Sequence, residues 1–137
     1  MSRIIPKDKE YFFDDNMIIS QTDLKGVITY GNRVFFQVSE YEKDELIGQP
    51  HNILRHPDMP KEVFKKMWKT IQAGKVWNGL IKNLRKDGLY YWVDTEILPV
   101  RNDNDDVIGY IAVKKAASRK DIQENEEIYQ RMLETQK

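Results

Sequence analysis

Three runs of alternating apolar and polar residues, separated by two turn sequences, constrain the fold of this chain more than any other feature. The runs occupy residues 76–85, 90–100 and 107–115, and the turns are Lys86-Asp87-Gly88 and the polar stretch 102–106. A period of two is typical of strands with one buried face, and short turns join such strands in antiparallel order. The sequence therefore predicts a three-stranded antiparallel meander.

One amphipathic helix is predicted immediately before the meander, over residues 60–73. Its apolar residues recur at spacings of three and four, which places them on one helical face. They are Val63, Phe64, Met67, Trp68 and Ile71. Gly74 follows the last of these residues and is expected to end the helix.

The first part of the chain predicts a hairpin followed by short helices. Residues 17–23 and 27–30 indicate two strands, with Gly26 permitting the tight turn between them. Residues 32–38 and 41–46 show no alternation and favour short connecting helices. Together with the meander, these elements predict an α+β domain in which a five-stranded antiparallel sheet packs its helices on one face. A cleft between sheet and helices is a natural ligand site.

The chain length allows one domain with flanking segments. With 137 residues and 40% hydrophobic content, one core is expected. We predict an N-terminal cap segment over residues 1–16, a folded domain over 17–117, and a C-terminal helix or linker over 118–137. Apolar residues at near-heptad spacing in this last segment indicate a helix with a narrow apolar stripe.

Composition excludes several classes of function. Lys plus Arg and Asp plus Glu each total 22, so a net charge of zero argues against nucleic-acid and anionic-membrane partners. The chain has no run of about 18 apolar residues that would predict a membrane segment, and its polar N-terminus does not resemble a signal peptide. A cytoplasmic location is expected, with membrane association only through other parts of a larger protein or through a partner. With no cysteine, the chain lacks thiol nucleophiles and the photoreactive cysteine of light-sensing flavin domains.

Catalysis is not expected. The chain has two histidines, no cysteine, and neither a Ser-His-Asp pattern nor paired carboxylates near its proline-rich loop. We therefore predict that it is not an enzyme, and that any redox or ligand role depends on a bound cofactor.

Alternation in the meander predicts which side chains face the helices. We assign Ile81, Asn83, Tyr91, Val93 and Ile97 to this inner face. A buried amide and a buried phenol need partners. Asn83 and Tyr91 either satisfy backbone groups or form hydrogen bonds with a ligand, and the pattern leaves both interpretations open.

A stiff loop over residues 49–60 carries a second set of candidates. Three prolines restrict it, and it presents Arg55, His56 and Asp58 beside the predicted cleft. A flavin dinucleotide offers phosphates to a cation and ring amides to paired donors and acceptors. The alternatives are that Arg55 is solvated, His56 is structural and Asp58 caps the following helix. Trp77 either stacks on a ring system or belongs to the core.

These residues lie in motifs through which the chain resembles the PAS domains of bacterial aerotaxis receptors. The matching segments are Thr22-Asp23-Leu24, Gly48-Gln49-Pro50-His51-Asn52, Arg55-His56-Pro57-Asp58-Met59-Pro60, Lys82-Asn83, Tyr91-Trp92-Val93 and Gly109-Tyr110. The similarity covers nearly the whole chain, and the predicted element order is that of the PAS fold. The run from Arg55 to Pro60 is its most specific part.

The resemblance implies that the chain binds FAD non-covalently and senses redox state or oxygen, that is, the energy state of the cell. The redox state of the flavin would be passed to a HAMP or chemoreceptor signalling module, either in the same chain or in a partner chain (in cis or in trans). It implies FAD contacts at Asn32, Arg55, His56, Asp58, Trp77, Asn83 and Tyr91. In this view, Asn83 or Tyr91 rearranges its hydrogen bonds when the flavin changes redox state. The chain is then expected to be either a fragment of a receptor or a separate sensor subunit.

Two other functions fit the same fold. A haem-based gas sensor would use His51 or His56 as the axial ligand, and an interaction-only PAS module would hold no ligand. The outer sheet face carries more apolar surface than a solvated face needs, at Leu80, Leu84, Tyr90 and Trp92. One interpretation is that this face contacts a partner or a second copy in a homodimer. The other is that the N-terminal segment covers it, through Tyr11, Phe12 and Phe13.

Overall fold

A computed structural model describes residues 4–14 and 16–136 of the chain. The strands are β1 (Ile18–Thr22), β2 (Ile28–Gly31), β3 (Trp77–Leu84), β4 (Tyr90–Arg101) and β5 (Val107–Ala116). The α-helices are α1 (Arg33–Ser39), α2 (Lys43–Leu46), α3 (Lys61–Gln72) and α4 (Arg119–Thr135), and a short 3-10 helix spans His51–Leu54. The parts of the predicted segments 1–16 and 118–137 that fall on residues 1–3, 15 and 137 lie outside the described residues.

The five strands form one antiparallel sheet in the order β2-β1-β5-β4-β3. This confirms the predicted α+β architecture and the meander formed by its last three strands. The central position of β5 comes from its pairing with both β1 and β4, so its residues 110–114 have neighbours on two sides. Residue pairing therefore creates rows across the sheet, and one such row is Ile18, Lys114 and Thr95.

The helix α3 packs against the inner face of this sheet through its predicted apolar residues. Val63, Phe64, Met67 and Ile71 are buried in the same core as Ile81, Val93 and Ile97. Gly74, at a φ of 79°, follows the helix as predicted. This face of the helix and the inner face of the sheet leave a space between them, which is described below.

The turn between β1 and β2 approaches α3 closely. Gly26 has a φ of 84°, and a Cβ atom there would lie 2.9 Å from the Trp68 ring. Asp23 fixes the turn because its Oδ1 accepts hydrogen bonds from the backbone N–H groups of Lys25 and Val27. A glycine at this position meets both requirements, the left-handed backbone and the absent side chain.

The outer face of the sheet is covered by α4, which corrects our interpretation of Leu80 and Trp92 as a docking surface. The rings of Trp92 and Tyr129 stack at a centroid distance of 6.2 Å, and the Tyr129 hydroxyl donates a 2.6 Å hydrogen bond to the Leu80 carbonyl. Trp92 is consequently only 4% exposed. Helices thus lie on both faces, with α1 to α3 on the predicted side and α4 opposite them.

The N-terminal segment contacts the end of the sheet where β4 begins, rather than covering the outer face as one alternative had it. Tyr11 donates its backbone N–H to the Tyr90 carbonyl at 2.7 Å. The Tyr11 ring lies over the Arg85 guanidinium, 3.7 Å from its central carbon, and Phe13 meets the Tyr91 ring edge-on. Glu10 forms an ion pair with Arg119, so this segment also contacts α4.

Within residues 4–14 and 16–136, no helix combines the length and the apolar character needed to cross a lipid bilayer.

Candidate functional site

A cavity of about 340 Å³ lies between the inner face of the sheet, α3 and the 3-10 helix. Its apolar wall comprises Phe64, Met67, Trp68, Ile71, Ile81 and Ile97. Its polar groups come from Ser20, His51, Arg55, Asn83, Thr95 and Lys114. The cavity is the cleft that the element order predicts, and its size falls within the range of roughly 300–1,000 Å³ that is usual for small-molecule sites.

Arg55 and Asn83 are brought together at one side of this cavity. A backbone bridge pairs the two residues, which joins the loop to β3. The Arg55 guanidinium stacks over the Phe64 ring at 3.7 Å, while its buried Nε finds no hydrogen-bond partner among the described residues. Burial lowers the pKa of Arg55 from its ordinary value. Arg55 is therefore a cavity-lining residue with one buried N–H that has no partner in the described part of the chain.

Asn83 faces the cavity from the inner side of β3, as predicted. The residue is only 3% exposed and lines the cavity. A hydrogen bond between its amide and the neighbouring Tyr91 phenol opposes the rise of the Tyr91 pKa. Hydrogen bonding of Asn83 to a ligand stays a prediction.

Tyr91 lies on the same face, but behind the cavity wall rather than in it. It pairs with Asn83 across β3 and β4 and packs against Phe13. Burial raises the pKa of Tyr91, and the neighbouring Asn83 amide opposes this rise. The phenol is therefore neutral, and it lies next to Asn83 outside the cavity lining.

His56 and Asp58 do not line the cavity. The His56 Nδ1 accepts a 3.0 Å hydrogen bond from the Asp58 backbone N–H, and the ring packs edge-on against Tyr90. Burial, assisted by the Lys82 charge, lowers the pKa of His56 to about 4. Asp58 points outward and its Oδ2 lies 3.1 Å from Lys82 Nζ. These contacts hold the loop in place. They agree with the alternative given above, in which His56 has a structural role.

Asn32 and Trp77 are also outside the lining. The Asn32 Oδ1 accepts from the backbone N–H groups of Phe35 and Ile19, and its Nδ2 donates to the Met17 carbonyl at 2.9 Å. This amide is committed to the N-terminus of α1 and to β1. Trp77 lies flat on the inner face above Gly79, where a Cβ atom would approach the indole to 2.5 Å.

Sequence reasoning missed the polar cluster in the middle of the inner face. Lys114, on β5, is 2% exposed and lines the cavity. Its Nζ lies 3.3 Å from His51 Nε2, which in turn lies 3.2 Å from Ser20 Oγ. Burial lowers the pKa of Lys114 to about 7, and burial together with the Lys114 charge holds the pKa of His51 well below its usual range.

A signal for this cluster was present in the alternation of β5. Tyr110, Ala112 and Lys114 occupy alternate positions and all line the cavity. The same period-two argument that placed Asn83 inside also places a lysine inside. We expected Lys114 only as part of a strand and did not assign its face.

Comparison with known proteins identifies the fold. A family model described as the PAS fold matches residues 28–114. The chain belongs to the PAS family. The match extends from β2 to β5 and includes every cavity-lining element except β1.

Two curated relatives share substantial identity with this PAS domain. It is 43% identical to the aerotaxis receptor of Escherichia coli over 116 residues, which cover 85% of this chain and 23% of the receptor. It is 32% identical to the nitrogen fixation regulatory protein of Klebsiella pneumoniae over 103 residues, covering 75% of this chain and 21% of that protein. The PAS domain thus spans less than a quarter of the length of either relative.

Solved structures share the same architecture. A light-oxygen-voltage domain studied with a flavin analogue superposes with a TM-score of 0.68 at 22% identity, covering 90% of this chain and 89% of the other. A PAS domain from Colwellia psychrerythraea gives a TM-score of 0.63 at 28% identity, covering 75% of this chain and 87% of the other. Both likenesses support the fold described above.

The cavity of this PAS domain is cationic at its polar positions. Lys25, Arg55 and Lys114 contribute to the lining, whereas no Asp or Glu among the described residues does. The buried Thr95 hydroxyl also has no hydrogen-bond partner within the described chain. A planar ligand with apolar faces, several edge acceptors and negative charge would satisfy these groups together, and a flavin has this chemistry.

Proposed function

We propose that this PAS domain binds a flavin, in the form of FAD, and acts as a redox or energy sensor rather than as an enzyme. The observation that carries the proposal is the unsatisfied polar wall of a largely apolar cavity. Arg55 Nε and the Thr95 hydroxyl have no partners among the described residues, and both belong to cavity-lining residues. Because unpaired buried polar groups are costly, such groups around a cavity favour a ligand that completes them.

Individual residues have distinct roles in this proposal. Asn83 holds the edge of the ring, where its amide can both donate and accept, and Trp68 and Phe64 supply aromatic surface. Arg55 and Lys25 provide cations toward the phosphates of the dinucleotide. His56, Asp58, Asn32 and Trp77 support the loop and strands that position these contacts, and Tyr91 supports Asn83 from behind. The flavin supplies reversible electron transfer when bound.

Similarity to the aerotaxis receptor supports the signalling context. Of the two curated relatives, that receptor shares the greater identity with this chain. We infer that a HAMP or chemoreceptor signalling module receives the signal, in cis or in trans, and that the domain acts in the cytoplasm. A homodimer remains our second prediction for the partner.

The haem alternative is disfavoured by the histidine environments. His51 lines the cavity, but its Nε2 lies 3.3 Å from the Lys114 ammonium, and a cation at this distance opposes a metal ion at the same nitrogen. His56 Nδ1 is occupied by the Asp58 backbone N–H, and the residue lies outside the lining. An interaction-only module would leave the unsatisfied polar wall without a function.

The first test is to identify the molecule that copurifies with the protein. We expect flavin absorption bands, release of the pigment on denaturation because the bond is non-covalent, and the mass of FAD. FMN instead of FAD would correct the cofactor but leave the sensor proposal standing. A haem spectrum, or colourless protein that takes up no added flavin, would contradict the proposal.

A second test compares two asparagines on the same strand. Asn83→Ala removes a cavity amide, whereas Asn78→Ala alters the same residue type where it is exposed, on the opposite face of β3. We expect Asn83→Ala to weaken flavin affinity by about tenfold, since a net hydrogen bond contributes about 0.5–1.5 kcal/mol. Fluorescence titration of flavin-depleted protein measures the change. Equal affinities for the two variants would remove Asn83 from the site.

A further inference from the structure

We propose that Lys114 is the proton acceptor of this sensor, taking up one proton when the bound flavin is reduced. This inference rests on the proposed function and assigns the coupling of redox state and protonation to one residue of the chain. It concerns a lysine in the cavity wall that none of the resemblances above assigns to the site.

The position of Lys114 supports this role. It lies on β5, in the row that pairs with Ile18 of β1 on one side and Thr95 of β4 on the other. It is 2% exposed, and its Nζ lies 5.4 Å from the centre of the Phe35 ring. A lysine side chain in the centre of a sheet, directed into a cavity, is rare because the ammonium loses its hydration.

The groups that face Lys114 do not neutralise it. From β1 and β4 come the uncharged Ser20 and Thr95, and from β5 itself the phenol of Tyr110. The 3-10 helix and the residue after it contribute His51 and Arg55, and the β1–β2 turn contributes Lys25. Helix α1 presents the Phe35 ring, and the cavity-facing side chains of α3 are Phe64, Met67, Trp68 and Ile71. Among the described residues, no carboxylate lines the cavity, so the nearby charges are all positive.

This environment keeps the proton on Lys114 weakly bound until negative charge arrives. Burial alone lowers the pKa of Lys114 to about 7, whereas an opposite charge within about 4–6 Å would raise it again. A reduced, anionic flavin held in this cavity would supply such a negative charge. The Lys114 pKa would then rise on reduction, and the fraction of protonated amine would increase near neutral pH.

The step balances in electrons and protons. Two electrons from an external donor, such as a reduced electron-transport carrier, together with one proton from solvent, would convert a bound flavin to its reduced anion, while a second proton from solvent adds to the lone pair of Lys114 Nζ. No covalent bond to the flavin forms or breaks at the lysine. Reoxidation would return the two electrons to an oxidised carrier and both protons to solvent.

The neighbours of Lys114 provide a path by which the change reaches the backbone. A protonated Lys114 donates to His51 Nε2, which then cannot serve as a donor to Ser20. A neutral Lys114 can accept instead, and this permits the other tautomer of His51. The two states therefore differ in the contact between the 3-10 helix and β1.

The experiment uses flavin-loaded wild-type protein and three variants of the chain. Lys114→Met removes the amine at similar volume, Lys114→Arg fixes the charge, and Lys115→Met is the control because Lys115 is exposed next to it on β5. Spectroelectrochemical titration with dithionite-reduced mediators gives the potential between about pH 6 and pH 9, a range that brackets the lowered lysine pKa. Proton uptake on reduction is measured in parallel with an indicator dye in weak buffer.

Above about pH 7, where Lys114 is largely neutral in the oxidised protein, we expect wild type and Lys115→Met to take up as much as one proton more per reduction than Lys114→Arg. Their potential should fall correspondingly more steeply with pH in this range. Lys114→Met should weaken binding of reduced relative to oxidised flavin by about 5- to 150-fold, the usual range of coupling between linked events. Each tenfold change corresponds to about 30 mV for a two-electron couple.

The outcomes separate this inference from the proposed function. Flavin bound with unchanged potential and slope in Lys114→Met would overturn the role of Lys114 while leaving the sensor proposal intact. If Lys114→Met does not fold or load, equal proton uptake by wild type and Lys114→Arg overturns it as well. Protein that binds no flavin in any variant overturns both.

Discussion

Lys114→Met is expected to make the flavin-free protein several kcal/mol more stable at neutral pH. The pKa of Lys114 falls from 10.5 to about 7 on folding because the side chain is buried. Each unit corresponds to about 1.4 kcal/mol, so the ammonium opposes folding by an amount on the order of several kcal/mol. Methionine has a similar shape and no charge, and it can occupy the same place against Phe35 and Ile18.

The sign of the pH dependence follows from the direction of the Lys114 shift. Between about pH 7 and 10.5 the unfolded chain binds the lysine proton more tightly than the folded chain does. The free energy of unfolding of the wild type therefore rises with pH through this window, and the cost is fully present below it. The Lys114→Met variant lacks this rise, so the two stabilities converge toward high pH.

Urea unfolding at several pH values measures this difference, with Lys115→Met as the exposed control. The control should follow the wild type throughout. Both histidines have lowered pKa values and destabilise the folded state at acid pH, but all variants share this contribution. A Lys114→Met variant less stable than wild type at neutral pH would show that the folded protein compensates the lysine charge.

The fold could be predicted because its signals are local. Alternation in residues 76–115 and the helical spacing of Val63, Met67 and Ile71 depend only on neighbouring residues. The elements that carry these patterns occur as predicted. The position of α4 could not be derived in this way, because its apolar stripe fits any exposed apolar surface. In the folded protein, the stacking of Tyr129 on Trp92 fixes α4 against the outer face of the sheet.

The site was predicted only in part because it depends on which residues meet across the fold. Arg55 and Asn83 both line the cavity, and a bridge joins their backbones. The sequence predicted this in two separate steps, by placing Asn83 on the inner face of β3 and Arg55 in the loop beside the cleft. His56 lies outside the cavity lining, and its Nδ1 accepts a hydrogen bond from the neighbouring Asp58 N–H. A flavin contact of His56 stays a prediction. Placing Lys114 in the cavity required knowing which face of β5 points inward. That this lysine has no acidic partner in the lining, among the described residues, depends on contacts across the whole fold.

Ala112→Phe is expected to prevent flavin binding while leaving the fold intact. Ala112 lies in the row between Ser20 and Ile97, at the centre of the cavity floor. A phenylalanine there projects into the cavity of about 340 Å³ and occupies the space of the ring. Because the cavity cannot hold both rings, we expect a loss of affinity of more than about 150-fold, which corresponds to about 3 kcal/mol, the upper part of the usual cost of overpacking.

The control is Ile111→Phe, the adjacent residue of β5, which is half-buried on the opposite face. We expect it to retain flavin like the wild type, whereas Ala112→Phe yields colourless protein with an unchanged circular dichroism spectrum and a cooperative unfolding transition. Because the added ring replaces missing contacts in the flavin-free state, Ala112→Phe should be at least as stable as flavin-depleted wild type. Yellow, flavin-loaded Ala112→Phe protein would mean that the ring binds elsewhere, and the roles assigned to Asn83, Arg55 and Lys114 would then fail together.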